Sequence, residues 1–264
     1  MTRDVLFSAS AIIALLPACL VALRQSHGRD SVFWAVLAVA VAGPLAWTIV
    51  RMQGAWRTDL STTLWVTVSA SMIVFALVAA ATREGWRLLP LIAGYLCVLG
   101  VVAMLWQNAP ERPLAGGGTW VNIHIAVSIA TYALVTVAAI AALAAVLHER
   151  ALKTKRATRL SRLLPSVADC ERLVVRLLVM GESVLAAGLA SGMAARWGEH
   201  HSLLALDHKT ILTIAAFLVI GALLVLHFRS GVRGRQAARL VLLGYLLLTL
   251  GYPGVKFVTD VILA

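Results

Sequence analysis

Eight long apolar runs constrain this chain more than any other feature of its sequence. A transmembrane α-helix needs about 20 consecutive apolar residues to cross a hydrocarbon core about 30 Å thick. Because 61% of the 264 residues are hydrophobic and 13% are charged, the runs leave little chain for a soluble domain. The sequence therefore predicts an all-α, polytopic membrane helix bundle. The predicted spans are Val5–Leu23, Val32–Val50, Leu60–Ala81, Leu88–Trp106, Trp120–Leu147, Leu173–Ala194, Thr210–Phe228 and Leu240–Ile262.

We interpret residues 1–264 as a single integral membrane domain, with four spans in 1–119 and four in 120–264. Basic residues are shared unevenly among its loops: loops one, three, five and seven hold 15 Lys and Arg, and loops two, four and six hold 5. Because cytoplasmic loops carry the excess of Lys and Arg, the odd loops are expected in the cytoplasm and both termini outside. The net charge of +11 is thus explained by topology and lipid headgroups, and we expect the lipid bilayer, not nucleic acid, as a partner.

Motifs for catalysis or for soluble cofactors do not occur in the sequence. It contains no Walker, G-x-G-x-x-G or G-x-S-x-G motif. Cys19, Cys97 and Cys170 are far apart along the chain and form no C-x-x-C or C-x-x-C-H pattern. This spacing argues against a disulfide framework, a thiol oxidoreductase site, a zinc finger or covalent haem attachment. We predict that the protein is not an enzyme.

A polar stripe begins at His124 in the fifth span. Ser128, Thr131 and Tyr132 follow on roughly the same helix face, so the stripe is expected to face protein and not lipid. Neutral imidazole is tolerated in a membrane and is also a ligand for iron. The simpler alternative is that His124 only forms a hydrogen bond to a neighbouring helix.

The histidines of the spans fall at two depths. His208 begins the seventh span from the outer side, at the depth expected for His124. His227 lies 19 residues further along, or roughly 28 Å at about 1.5 Å per residue. His124 and His227 therefore cannot bind one metal ion together.

The second half of the chain carries several distinctive segments in a fixed order. They are "WVNIHIAVSIATYALVTVAAIAALAAVLHERALK", "LLPSVADCERL", "ASG", the Asp207-x-Lys209 pair and "LHFRSGVRGR". Together they resemble the cytochrome c assembly protein family (CcsA, ResC, CcmC), and most closely its short inner-membrane branch typified by YpjD and HemX. The resemblance covers residues 120–264, and the first four spans add little beyond hydrophobicity.

The resemblance implies a multi-pass protein of a bacterial-type inner (plasma) membrane that binds haem or assists its transfer in cytochrome c biogenesis. Haem b is the implied cofactor, and other cytochrome maturation components are implied partners. His124 and His227 match the family's outer and inner haem-iron ligands, and His208 is added as a partner of His124 on depth alone. The family's tryptophan-rich motif is reduced here to Trp197 and Gly198, which favours a helper in haem handling over a complete haem lyase.

Two other function classes stay open on the sequence. A b-type electron-transfer protein would hold one haem between two facing histidines. A small-molecule or ion transporter without haem would usually show an internal repeat or helices broken at the midplane. Glu182, near the middle of the sixth span, is either paired or protonated in the bundle, or acts as a proton relay or counter-charge. Arg196, Lys209 and Lys256 are candidates to pair with haem propionates.

Overall fold

The computed structural model describes residues 2–21, 28–53, 59–107, 119–156, 158–200 and 207–258, and these residues contain helices and turns but no strand. The helices are α1 (Thr2–Val21), α2 (Ser31–Arg51), α3 (Leu60–Ala81), α4 (Leu89–Leu105), α5 (Thr119–Thr154), α6 (Arg159–Leu163), α7 (Val167–His200), α8 (His208–Ser230), α9 (Gly234–Thr249) and α10 (Val255–Phe257). A 3₁₀ turn at Gly85–Leu88 precedes α4, and a π-helical turn at Leu250–Gly254 follows α9.

The described residues include eight segments that are long and apolar enough to cross a membrane, which confirms the predicted all-α fold with eight spans. The third span has the predicted bounds, Leu60–Ala81. The fifth was predicted to end at Leu147, but α5 continues to Thr154. The predicted ends at Leu23 and Ile262 lie outside the described residues.

Charged side chains explain why α5 continues beyond the end of its apolar run. Glu149 pairs with Lys153 one turn later on the same helix. Its carboxylate also lies 3.5 Å from the guanidinium of Arg235 on α9. Apolar content predicts where a helix can cross lipid, but it does not mark where the helix itself ends.

The chain forms two compact units. The first comprises Met1–Leu114, Lys155–Pro165 and Lys256–Ala264, and the second comprises Ala115–Thr154 and Ser166–Val255. The interpretation of residues 1–264 as one membrane domain, with four spans in 1–119 and four in 120–264, stays a prediction.

A buried polar cluster joins α2 to α3 in the first unit. Arg51 Nη2 lies 3.3 Å from Asp59 Oδ2, and the two side chains are 6% and 1% exposed. The same guanidinium donates hydrogen bonds to the hydroxyls of Ser61 and Thr62, each at 3.1 Å. Asp59 also accepts a hydrogen bond from the backbone N–H of Thr62 and so caps the start of α3. The cluster fixes the connection between these two helices.

Small residues bring α5 and α7 close together in the second unit. Residues 131–142 of α5 are all buried, and alanine is frequent among them. A side-chain carbon added at Gly181 would lie 3.3 Å from Val135, whereas one added at Gly192 would lie 3.0 Å from His124. The later residue of α7, Gly192, thus lies beside the earlier residue of α5, His124, so the two helices are antiparallel. Such small residues are typical of membrane helices with close backbones.

The orientation in the membrane is a prediction that reporter fusions can test. A reporter of cytoplasmic location fused at Lys155, in the basic fifth loop, should be active because that loop carries the largest excess of Lys and Arg. The same reporter fused at Gly117, which lies outside the described residues, should be silent, and an exported alkaline phosphatase reporter should give the opposite pattern. The same side for both positions would contradict the orientation with both termini outside.

Candidate functional site

His124 lies near the start of α5, and its ring packs against α7. Nδ1 is 3.0 Å from the backbone carbonyl oxygen of Gly188 and 3.4 Å from the hydroxyl of Ser191. Ser191 donates its own hydroxyl to the same carbonyl at 3.0 Å. Because a carbonyl oxygen can only accept, a neutral ring bonded to it carries its proton on Nδ1. Nε2 then holds a free lone pair.

Glycine on α7 makes room for the His124 ring. A Cβ at Gly192 would lie 3.0 Å from Cε1 and 3.2 Å from Nδ1 of that ring. A Cβ at Gly188, one turn earlier, would meet only Val127 at an ordinary 3.4 Å. Gly192 is therefore the position on α7 where a side chain would compete with His124 for space.

A cavity of about 270 Å³ opens beside His124 within the second unit. This volume is close to the lower end of the roughly 300–1,000 Å³ of typical ligand pockets. Its polar lining residues are His124, Ser128, Thr131, Tyr132, Lys209, Thr213 and Tyr252. Among the described residues that line it there is one lysine and no carboxylate. The cavity is thus suited to a ligand that has an apolar body and a negative group.

Tyr132 of α5, which lines this cavity, contacts two hydroxyl groups of α9. Tyr132 Oη lies 3.0 Å from Thr249 Oγ1 and 3.3 Å from Tyr245 Oη. Thr249 donates to the Tyr245 carbonyl at 2.8 Å, so its hydroxyl is held in place. Tyr245 and Thr249 were missed by the sequence analysis. Their spacing of four residues in an otherwise apolar span was the available signal.

The start of α8 contributes Lys209, and not His208, to the cavity lining. His208 is exposed and is absent from the described lining residues. Asp207 caps α8 by accepting a hydrogen bond of 2.8 Å from the backbone N–H of Thr210. Partial burial raises the pKa of Asp207, but the hydrogen bonds from Thr210 and the nearby positive charges outweigh it and hold that pKa below its usual range. A shared iron site of His124 and His208 stays a prediction.

His227 lies in a separate, much smaller cavity near the end of α8. Its Nδ1 is 3.0 Å from the backbone carbonyl oxygen of Val232, which again leaves Nε2 as the free nitrogen. The cavity has a volume of about 30 Å³, enough for water but not for a larger ligand. Glu171 also lines it and accepts a hydrogen bond of 2.8 Å from the backbone N–H of Gly234. The structure does not bring His227 and His124 together.

The remaining predicted residues lie in different surroundings. Of the three predicted propionate partners, Lys209 lines the His124 cavity, Arg196 is absent from its described lining, and Lys256 belongs to the first unit. Glu182 faces α8, where a Cβ added at Gly221 would lie 3.0 Å from its Oε1. Its Oε2 is buried and has no hydrogen-bond partner among the described residues.

The donor atoms at His124 suit a haem iron. Histidines that bind metals almost always donate their other ring N–H to a carbonyl or carboxylate, which fixes the ring and the tautomer. His124 does this through Gly188, and it is itself one of the residues that line a cavity with a cationic lining residue. His227 has the same hydrogen-bond pattern, but its cavity is too small for a macrocycle in this conformation.

Comparison with known proteins agrees with the predicted resemblance and extends it. The family model described as "Cytochrome C assembly protein" matches residues 30–263, so it includes most of the first four spans. An Azospirillum brasilense protein, "Uncharacterized 28.8 kDa protein in nifR3-like 5'region", is 52% identical over 270 residues, all of both chains. "Inner membrane protein YpjD" of Escherichia coli (strain K12) is 26% identical over 197 residues, 74% of this chain and 73% of that protein. No solved structure matches the chain.

Proposed function

We propose that this chain, which belongs to the cytochrome c assembly protein family, binds haem at the His124 cavity and assists its transfer during cytochrome c biogenesis. The observation that carries the proposal is the hydrogen bond from His124 Nδ1 to the Gly188 carbonyl oxygen. It holds the proton on one nitrogen and leaves the other as a ligand beside a cavity. The alternatives of a b-type electron-transfer protein and of a transporter without haem have no comparable support.

The residues around His124 have separate roles in this proposal. His124 binds iron through Nε2, while Gly188 and Ser191 hold its ring in position. Haem b, when bound, would supply an iron centre that can accept an imidazole nitrogen as a ligand. Lys209 attracts the propionate carboxylates, since it is the cation among the described lining residues. Leu185 and the other apolar lining residues contact the body of the ligand.

A transfer role fits this arrangement better than permanent retention. One histidine lines the cavity in the described residues, whereas an electron-transfer cytochrome of b type uses two facing histidines on one iron. With one histidine from this chain, the site would hold haem and leave its iron able to accept a ligand from a second protein. His227 lies 19 residues, or roughly 28 Å, beyond His208 along α8. It belongs in this proposal to a second, inner haem position, which requires its small cavity to widen. The proposed role is carriage without catalysis.

We assign the protein to a bacterial inner membrane, with other cytochrome maturation components as its partners. The relative from Escherichia coli is named an inner membrane protein and aligns with 74% of this chain at 26% identity. The eight apolar segments suit a multi-pass protein in such a membrane.

The proposal is tested by absorption spectroscopy of the purified protein. The unaltered protein, loaded with haem b, should show the Soret band of a histidine-ligated haem. His124→Ala should lose or shift that band because the iron loses its axial nitrogen. Added imidazole should restore it in His124→Ala, which a purely structural role of His124 does not predict.

His227→Ala and His208→Ala complete the experiment. His227→Ala should keep the outer haem and lose only a fraction bound at the inner position. A loss in His208→Ala equal to that in His124→Ala would instead favour the two-histidine site. Unchanged haem retention in both His124→Ala and His227→Ala would reject the haem-binding function.

A further inference from the structure

Two cysteines that are distant in the sequence meet between α1 and α4 of the first unit. Cys19 and Cys97 are separated by 78 positions, yet their sulfur atoms lie 3.9 Å apart. The sequence spacing argued against a disulfide, because it contains no short cysteine motif. Helix packing brings the two thiols together across the bundle, which spacing along the chain does not reveal.

The contacts between α1 and α4 fix the register of this pair. Ser8 donates a hydrogen bond of 3.4 Å to Gln107. Ile12 packs beside Gly100, where an added Cβ would lie 3.2 Å from its side chain. The positions on α4 decrease as those on α1 increase, so the helices are antiparallel and both cysteines lie on the shared seam. The meeting of the two thiols is therefore part of a continuous helix interface.

The separation of the sulfur atoms suits disulfide formation. A disulfide bond is about 2.05 Å long, so the sulfur atoms of Cys19 and Cys97, now 3.9 Å apart, must approach each other by roughly 1.9 Å to form it. Cys170, the third cysteine of the chain, is fully buried on α7 of the second unit. Its thiol should therefore stay unreacted, and it serves as a reference when thiols are counted.

The surroundings of Cys19 and Cys97 indicate which kind of oxidant can reach them. Both cysteines are partly exposed. Leu20 beside Cys19 and Val98 beside Cys97 are each 61% exposed, and Leu16 and Val101 add to this apolar flank. In a membrane-spanning segment such a flank faces lipid, where a water-soluble oxidoreductase has no access. A lipid-soluble quinone can reach it.

We propose that Cys19 and Cys97 form a redox-active pair that exchanges two electrons and two protons with a lipid-soluble quinone. The two S–H bonds break and one S–S bond forms, while the quinone takes up both electrons and both protons and becomes a hydroquinone. The disulfide ties α1 to α4 covalently. Transfer of two electrons and two protons from a hydroquinone reverses the reaction and restores both thiols. The site is independent of the haem cavity, since it lies in the other unit.

Thiol counting on the full-length protein in lipid nanodiscs tests the pair. The reduced protein is incubated with a fully substituted quinone analogue, denatured, and labelled with a maleimide-linked polymer that shifts its mobility once per free thiol. We expect the count to fall from three to one, with one hydroquinone formed per chain. Dithiothreitol should restore all three thiols, which separates a disulfide from a quinone adduct. Three free thiols after quinone treatment would overturn the proposal.

Matched variants locate the reacting thiols. Cys19→Ser and Cys97→Ser should each keep both remaining thiols after quinone treatment, and Cys170→Ser should lose both of its thiols. If Cys97→Ser also lost both of its remaining thiols, the assignment of the reaction to Cys19 and Cys97 would be overturned. Copper–phenanthroline, which oxidises any adjacent thiols, should link the α1 and α4 peptides in the unaltered protein. A link with copper but none with quinone overturns the choice of oxidant, and no link with either overturns the pairing itself.

Discussion

Replacing Gly192 by alanine is expected to lower the affinity of the His124 site for haem by about 10- to 100-fold, the usual effect of disturbing a group that orients a metal ligand. The added Cβ would lie 3.0 Å from Cε1 and 3.2 Å from Nδ1 of His124. The ring must then move away from α7, which stretches its hydrogen bond to the Gly188 carbonyl oxygen. Titration of the haem-free protein with haem b, followed at the Soret band, measures the change.

Gly181→Ala is the matched control for this prediction. It adds the same methyl group to the same helix about three turns earlier, where the new Cβ would lie 3.3 Å from Val135 on α5. Neither Gly181 nor Val135 is among the described residues that line the cavity, so haem affinity should change little. Equal affinities for Gly192→Ala and the unaltered protein would show that the position of the His124 ring against α7 does not matter for binding.

The spans were predictable because one physical requirement controls them. A helix that crosses lipid must be apolar over its whole length, and that requirement is visible in a single sequence. Leu60–Ala81 has the same bounds in the sequence prediction and in the structure. Where charged residues stabilise the helix beyond the lipid, as from His148 to Thr154, the apolar run ends early and the prediction stops with it.

The candidate site was predictable only in part, because depth and direction are separate properties of a helix residue. His208 and Lys209 have almost the same depth, but one residue turns a helix by about 100°. The structure accordingly places Lys209 in the cavity lining, whereas His208 is absent from the described lining residues. A sequence does not indicate which helix supplies the partner of a given residue. Gly192 and the cysteine pair depend on which helices pack together, and the sequence pattern does not specify that packing.

Replacing Arg51 by methionine is expected to destabilise the first unit by about 3–5 kcal/mol, the usual cost of breaking a buried ion pair. Asp59 is 1% exposed and would lose the guanidinium that now lies 3.3 Å away. The hydroxyls of Ser61 and Thr62 would lose their donor as well. Arg51 also lies 5.7 Å from the ring centroid of Trp47, and that contact would disappear. Denaturant unfolding in detergent micelles measures the difference.

Two further variants separate the buried charge from the loss of a long side chain. In Arg51→Met/Asp59→Asn the orphaned charge is gone while the asparagine can still cap α3, so much of the lost stability should return. Arg87→Met breaks an exposed pair with Glu84, in which the side chains are 34% and 41% exposed and 3.1 Å apart. Its cost should be about 0–1 kcal/mol because solvent screens both charges. Equal costs for Arg51→Met and Arg87→Met would mean that burial of the Arg51–Asp59 pair contributes nothing to the stability of the bundle.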